Sequence, residues 1–158
     1  DTIYGIGCNA LNTKSIEIIR SLKGRAQSPF SVWVPSREWI EENCIITKNA
    51  EGWLDKLPGP YTLILPLQKK EAVSSIVAPG KKTIGVRLPG HWFSKVVERA
   101  KVPIVTTSAN KVGEPFMTSL ENLNPDIKKD VEFMVYEGEK KARPSKIVDV
   151  AKEKIEER

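Results

Sequence analysis

One histidine and two cysteines in 158 residues leave little room for several kinds of chemistry. No His/Cys cluster has the spacing of a zinc site. A Ser-His-Asp or Cys-His apparatus would have to run through His91 alone. The residues after it, Trp92 and Phe93, read instead as the start of a packed helix. Cys8 and Cys44 do not make a disulfide framework, which favours a reduced, cytoplasmic setting. No run approaches the roughly 20 apolar residues of a membrane span, so no membrane partner is expected. No secretory signal peptide is visible, although the first residue is Asp1 and not Met. Neither a GxGxxG fingerprint nor a Walker A loop occurs. Aromatic residues, at 7%, do not interleave with basic ones in the way that stacks RNA bases.

What is present fits a soluble globular domain. Apolar residues make up 40% and charged residues 28%. The length suits one domain with a proper core. The net charge of +5 favours an anionic partner, such as nucleotide phosphate or RNA. Much of the excess sits in scattered pairs such as Lys69-Lys70 and Lys128-Lys129, which read as solvated edges.

The chain is organised around residues 101–118. A short apolar run, 102–105, reads as a buried strand that ends in Thr106, Thr107 and Ser108, followed by Ala109, Asn110 and a turn-rich loop. In an open α/β sheet, ligands bind just beyond the carboxyl ends of strands, where these small polar groups would lie. The alternative is that they bond only their own backbone. Upstream, Asn12 or Thr13 can cap a helix with Ile16, Ile19 and Leu22 on its apolar face, ending near Gly24. Lys23 and Arg25 flank that glycine, with Ser28 and Pro29 just after. They suit a phosphate clamp or, equally, a helix C-terminus. In a strand over 82–89, Thr83, Gly85 and Arg87 share one face, and Ile84, Val86 and Leu88 the other. Arg87 needs a partner there, either an anion or a carboxylate.

The other expected strands are 30–34, 61–65 with Pro66 ending it or placing it at an edge, 131–136 and 146–150. Expected helices are a short one capped by Ser36, 50–57, a piece at 71–77, and 92–100 with Phe93, Val96 and Val97 inward. A further helix runs from a capping box, with Thr118 at the N-cap and Glu121 at N3, to about Lys128. The tail, 152–158, reads as frayed. Irregular alternation of strands and helices predicts one α/β (α+β) domain, a twisted, mixed open sheet flanked by helices.

Six stretches in chain order resemble one family, the threonylcarbamoyl-AMP synthases of the YrdC-like fold. Asp1-Thr2-Ile3-Tyr4-Gly5-Ile6-Gly7 is similar to the family's opening motif, Pro-Thr-(Asp/Glu)-Thr-Val-Tyr-Gly-Leu-Gly, entered part-way through. Lys23-Gly24-Arg25 resembles its Lys-x-Arg, and Pro58-Gly59-Pro60-Tyr61-Thr62 its Pro-Gly-Pro-x-Thr. Val86-Arg87-Leu88-Pro89 matches its Val-Arg-x-Pro. Ser108-Ala109-Asn110 with Gly113-Glu114-Pro115 is similar to Ser-Ala-Asn-x-Ser-Gly-x-Pro, and Ser145 to Asp149 to Ser-Thr-Ile-Val-Asp. The resemblance covers residues 1–158 as a YrdC-like domain that lacks its first strand and the start of its first motif.

The resemblance implies that ATP, L-threonine and bicarbonate give threonylcarbamoyl-AMP and pyrophosphate. A tRNA-modifying threonylcarbamoyl transferase would then use the product on a tRNA adenosine. Mg²⁺ is the candidate counter-ion of ATP, and tRNA or other RNA a candidate contact. By the family's pattern, Lys23 and Arg25 are the catalytic cations. Lys23, Arg25, Ser28, Thr83, Thr106, Ser108, Asn110 and Arg158 face ATP. Thr2, Tyr4, Trp33, Arg87 and Ser145 face threonine, with Arg87 on its carboxylate. Two departures stand out: no proline follows Arg25, and Trp33 falls where many members carry histidine. Competing readings are a non-catalytic RNA-binding module of the same fold, a carbamoyltransferase domain of the hydrogenase-maturation kind, and a relative that has lost activity.

Overall fold

The computed structural model describes residues 2–157 and builds a mixed sheet of seven strands. The strands are β1 (Gly5–Asn9), β2 (Ser31–Trp33), β3 (Tyr61–Pro66), β4 (Thr83–Arg87), β5 (Ile104–Ser108), β6 (Lys146–Asp149) and β7 (Lys154–Glu156). The helices are α1 (Thr13–Lys23), α2 (Arg37–Asn43), α3 (Lys48–Leu54), α4 (Ser94–Ala100) and α5 (Pro125–Asp130). Spatial order is β1-β5-β2-β4-β3-β6-β7. The β2–β4 and β3–β6 pairs are parallel, and the other neighbours antiparallel. No helix among the described residues is long and apolar enough to cross a membrane.

Strand alternation divides the sheet into two faces. Val32, Leu63, Leu65, Ile84, Val86, Val105 and Val148 are buried on one. They form a single core with Ile16 and Ile19 of α1, Ile40 of α2, and Ala50 and Leu54 of α3. Each such side chain contributes about 1.5–3 kcal/mol when fully buried. On the other face, Ser31, Thr62, Thr83, Gly85, Arg87, Thr106, Ser108 and Asp149, with Ile64 and Ile147, floor a cleft. Helix α1 begins where the Asn12 side chain accepts the N–H of Ser15, and it ends at Gly24, which takes the left-handed φ of 62°. Gly7 lets β1 lie close to β5. A Cβ there would fall 2.2 Å from the carbonyl oxygen of Val105.

Several local expectations give way to tertiary pairing. The strand expected to end in Thr106, Thr107 and Ser108 does so, held by the β1 ladder as far as the Gly5–Ser108 pair, but it starts at Ile104 and not at 102. Residues 131–136 form no strand despite their β-branched and aromatic content. Both edges of β6 are taken, by β3 and by β7, and Phe133 stays 75% exposed. The tail is paired, since β7 turns back on β6.

The capping box is shifted by one. Ser119 is the N-cap and Asn122 its partner, over a single 3-10 turn at Leu120–Asn122. The helix does not run on, because the residue before a proline avoids helical backbone. It restarts at Pro125 with Asn124 as its cap. In place of one helical piece at 71–77 there are two 3-10 turns, Lys70–Ala72 and Ser75–Val77, with a break between them. Helix α3 starts at Lys48 under a Thr47 cap and ends at Leu54. On α4 only Val97 of the expected inward set is buried, and Val96 is 45% exposed. Pro66 ends β3, which lies inside the sheet between β4 and β6.

Candidate active site

The open face of the sheet holds a cavity of about 510 Å³, within the ~300–1,000 Å³ usual for small-molecule sites. Its floor is Thr83, Gly85 and Arg87 of β4, flanked by Ser31 of β2, Thr106 and Ser108 of β5, Thr62 and Ile64 of β3, and Ile147 and Asp149 of β6. Gly85 keeps the middle open, for a Cβ there would stand 3.1 Å from Thr62 Cγ2 and 3.3 Å from Ser31 Cβ. Residues 2–4, leading into β1, and Pro144-Ser145, leading into β6, add walls.

The two ends of the cleft differ. Arg87 closes one, together with Thr62 and Ser145, which are buried with their hydroxyl oxygens 3.3 Å apart. At the other, Thr83 begins β4 and Asp149 ends β6, on either side of β3, with Arg25, Lys81 and Lys152 also on the lining. Four cations line the cavity against a single carboxylate among the described residues, Asp149, whose Oδ2 is 3.2 Å from Lys152 Nζ. That balance selects for anions.

The loop carrying Arg25 is shaped by Arg20, a buried cation on the inner face of α1. Its guanidinium donates to the carbonyls of Arg25, Ala26 and Ser28 at 2.9, 3.2 and 3.1 Å, and to Ile76 at 3.0 and 2.5 Å. It also lies over the Phe30 ring, 4.4 Å from its centroid. Arg25 in turn donates to the carbonyl of Pro29 at 2.7 Å. A cation on the apolar stripe of an amphipathic helix, four residues after Ile16, was the available signal for Arg20.

The expected site residues divide. Thr2, Tyr4, Arg25, Thr83, Arg87, Thr106, Ser108 and Ser145 line the cleft. Lys23, Ser28, Trp33 and Asn110 do not. Lys23 is buried, and its Nζ donates to the carbonyls of Ser108 and Asn110 at 2.6 and 2.7 Å. Burial and then the neighbouring Arg25 charge push its ammonium down to about 8. Asn110 accepts from Ser108 Oγ at 2.5 Å and donates to Glu114, so it orders the loop after β5. Ser28 is exposed and presents its carbonyl to Arg20. Trp33 shares the cleft side of β2 with Ser31 but packs edge-on against His91 and Phe93. Arg158 lies outside the described residues.

Thr62, Ser31, Lys81, Asp149 and Lys152 also line the cleft, although none of them was assigned to a substrate from the sequence. Period-two alternation through Thr62 and Ile64, and through Ser145, Ile147 and Asp149, was the readable signal for the strand residues among them. Neither cysteine is set up as a nucleophile. Burial pushes Cys8 up to about 11 and Cys44 to about 12. No group of three or more His, Cys, Asp or Glu that could hold a metal occurs among the described residues.

A cationic cleft, walled by hydroxyls on the open face of a mixed sheet, is of the class suited to a small polyanionic ligand. The chain belongs to the Sua5/YciO/YrdC family, the family of the threonylcarbamoyl-AMP synthases, whose model carries the description "Telomere recombination" and matches residues 1–157. A Methanocaldococcus jannaschii protein provisionally named threonylcarbamoyl-AMP synthase is 35% identical over 158 residues, covering 98% of this chain and 73% of that protein. The Pyrococcus abyssi threonylcarbamoyl-AMP synthase is 34% identical over 146 residues, 88% of this chain. The chain spans only 42% of the length of that relative. The crystal structure of P. abyssi Sua5 complexed with L-threonine superposes with a TM-score of 0.83 at 33% identity, over 94% of this chain and 44% of that one.

Proposed function

We propose that this cleft joins L-threonine, bicarbonate and ATP into L-threonylcarbamoyl-AMP, releasing pyrophosphate. The observation that carries the reading is the polarity of one cavity. Arg87 with two buried hydroxyls occupies one end, and Arg25, Lys81 and Lys152 line the rest of it with Thr83. The first end suits an amino acid carboxylate, the second a triphosphate. The relatives named threonylcarbamoyl-AMP synthase, and the relative crystallised with L-threonine, support the same assignment.

The chemistry asks little of a general base. Threonine and bicarbonate condense with loss of water to a carbamate, which is already anionic. Its oxygen forms a bond to the α-phosphorus of ATP as the bond from that phosphorus to the bridging oxygen breaks, and pyrophosphate leaves. Positioning and charge neutralisation are what the protein must supply. Arg87 would hold the threonine carboxylate, with Thr2, Tyr4 and Ser145 around the amino acid. Arg25, Thr83, Thr106 and Ser108 would face the nucleotide. Lys23 and Asn110 would act through the loop they order, and Arg158 remains a candidate nucleotide contact. Mg²⁺ commonly takes one or two carboxylates beside substrate phosphates, and Asp149 is the cleft carboxylate suited to that. It would add charge neutralisation at the phosphates. The product is a mixed anhydride, and a tRNA-modifying threonylcarbamoyl transferase is the natural consumer.

The test is pyrophosphate release from ATP. It should require both L-threonine and bicarbonate. L-Serine should serve less well, because one missing methyl costs about 1–3 kcal/mol of discrimination. Equal release with and without threonine overturns the assignment.

A further inference from the structure

Residues 132–144 form no regular element, and the apolar stretch Phe133 to Tyr136 packs into no core. This strap is nevertheless fastened, by the Lys140 N–H to the Thr118 carbonyl at 2.9 Å and by a cluster of contacts around Tyr4 and Glu137. The N–H of Glu137 donates to the Tyr4 phenol oxygen at 2.9 Å, and the Tyr4 hydroxyl donates to the carbonyl of Gly138 at 2.5 Å. Tyr136 stacks on the Tyr4 ring, centroids 5.5 Å apart. The Glu137 carboxylate accepts from Lys140 Nζ at 2.8 Å, from Trp92 Nε1, and from His91 Nε2 at 3.0 Å. The N–H of Phe93 donates to His91 Nδ1 at 3.2 Å, which leaves Nε2 as the ring's donor.

The groups gathered by Glu137 come from separate parts of the cleft. Tyr4 is in its wall. His91 and Trp92 follow Arg87 by four and five residues. The strap itself runs on to Pro144 and Ser145, which line the cavity. Glu137 therefore joins three places: its carboxylate takes hold of the exit of β4 at His91 and Trp92, its backbone N–H takes the Tyr4 hydroxyl at the entry to β1, and its strap runs on into β6. The strap contributes little buried apolar surface, so hydrogen bonds hold its course.

We propose that Glu137 is a positioning residue, a clasp that fixes Tyr4, Pro144 and Ser145 as the wall on the amino acid side of the cleft. The nature of the ligand rests on the threonine reading above. The clasp itself rests on the hydrogen bonds. Losing the carboxylate unties the strap from His91, Trp92 and Lys140 while its backbone bonds to Tyr4 and Thr118 remain, and it opens no cavity in the core, so binding suffers and the fold does not.

Glu137→Ala and Glu137→Gln in the full chain test this. Glu137→Ala should raise KM for L-threonine roughly 10-fold, within the up to 10²-fold cost of a misplaced positioning group. Its kcat should stay within about twofold, the pattern of lost ground-state binding. Its Tm should stay within about 2 °C, as for surface positions. Glu137→Gln keeps an acceptor oxygen and should recover part of the loss. Trypsin should cut faster after Lys140 and Lys141 in Glu137→Ala than in the wild type, with Glu137→Gln between. Unchanged KM, or a fall in kcat that tracks a lowered Tm, overturns the proposal. If wild-type turnover proves independent of threonine, the synthase reading falls, and the trypsin rates alone decide for or against the clasp.

Discussion

The Lys23 ammonium stands 2.6 Å from the carbonyl oxygen of Ser108, which bolts the end of α1 to the end of β5. Its titration gives a signed prediction. An unfolded lysine titrates near 10.5, and burial followed by the Arg25 charge brings Lys23 down to about 8. Between those values the unfolded chain binds the extra proton, so the stability linked to Lys23 rises with pH across that window. The stability difference between wild type and Lys23→Met, from urea melts at pH 7, 9 and 10.5, should therefore grow. Parallel curves would place the lysine at its ordinary value. Lys23→Met should also lower turnover, because Ser108 and Asn110 lose their anchor.

Arg25 belongs to the cleft lining, and its bond to Pro29 is local to the loop. Arg25→Ala should lower turnover roughly 10²–10³-fold, the scale for removing one preorganised transition-state contact. Stability should move by only about 0.5 kcal/mol, as for positions near the surface. A variant that stays active but melts early would assign Arg25 to the helix end instead.

Arg87→Lys should weaken threonine more than ATP. A lysine supplies the charge but not the planar fork that grips a carboxylate. The expected loss is about 1.5–3 kcal/mol, the range for hydrogen bonds to charged groups. Calorimetry with each ligand separates the two affinities, and an unchanged threonine affinity in a folded variant rejects this role.

Gly85→Ala tests the floor. The added methyl would meet Thr62 Cγ2 at 3.1 Å and Ser31 Cβ at 3.3 Å, atoms held by β3 and β2 on either side. Those strands cannot move apart without disturbing the core, so the methyl should stay in the cleft. Substrate affinity should fall at least roughly tenfold, with a stability cost on the order of 1 kcal/mol. Normal kinetics would show that ligands do not use the centre of the floor.

Local pattern determined a good deal by itself. The Asn12 and Gly24 ends of α1, the Ser36 cap of α2, and the two-faced strand carrying Thr83, Gly85 and Arg87 follow from spacing and cap chemistry, which act over a few residues. The ordered motifs were enough to point to the family. Tertiary structure decided what depends on partners distant in sequence. Residues 131–136 have strand composition but pair with no strand, while Lys154–Glu156, in a charged tail, pair with β6. Lys23 and Arg25 are two residues apart, yet one ammonium is sequestered by Ser108 and Asn110 and the other cation reaches the cleft. The meeting of Thr62 with Ser145, and of Glu137 with Tyr4, His91 and Trp92, likewise comes only from the sheet order. Hydrogen bonds across such separations have no short-range signature, because what selects them is which groups the closed chain leaves side by side.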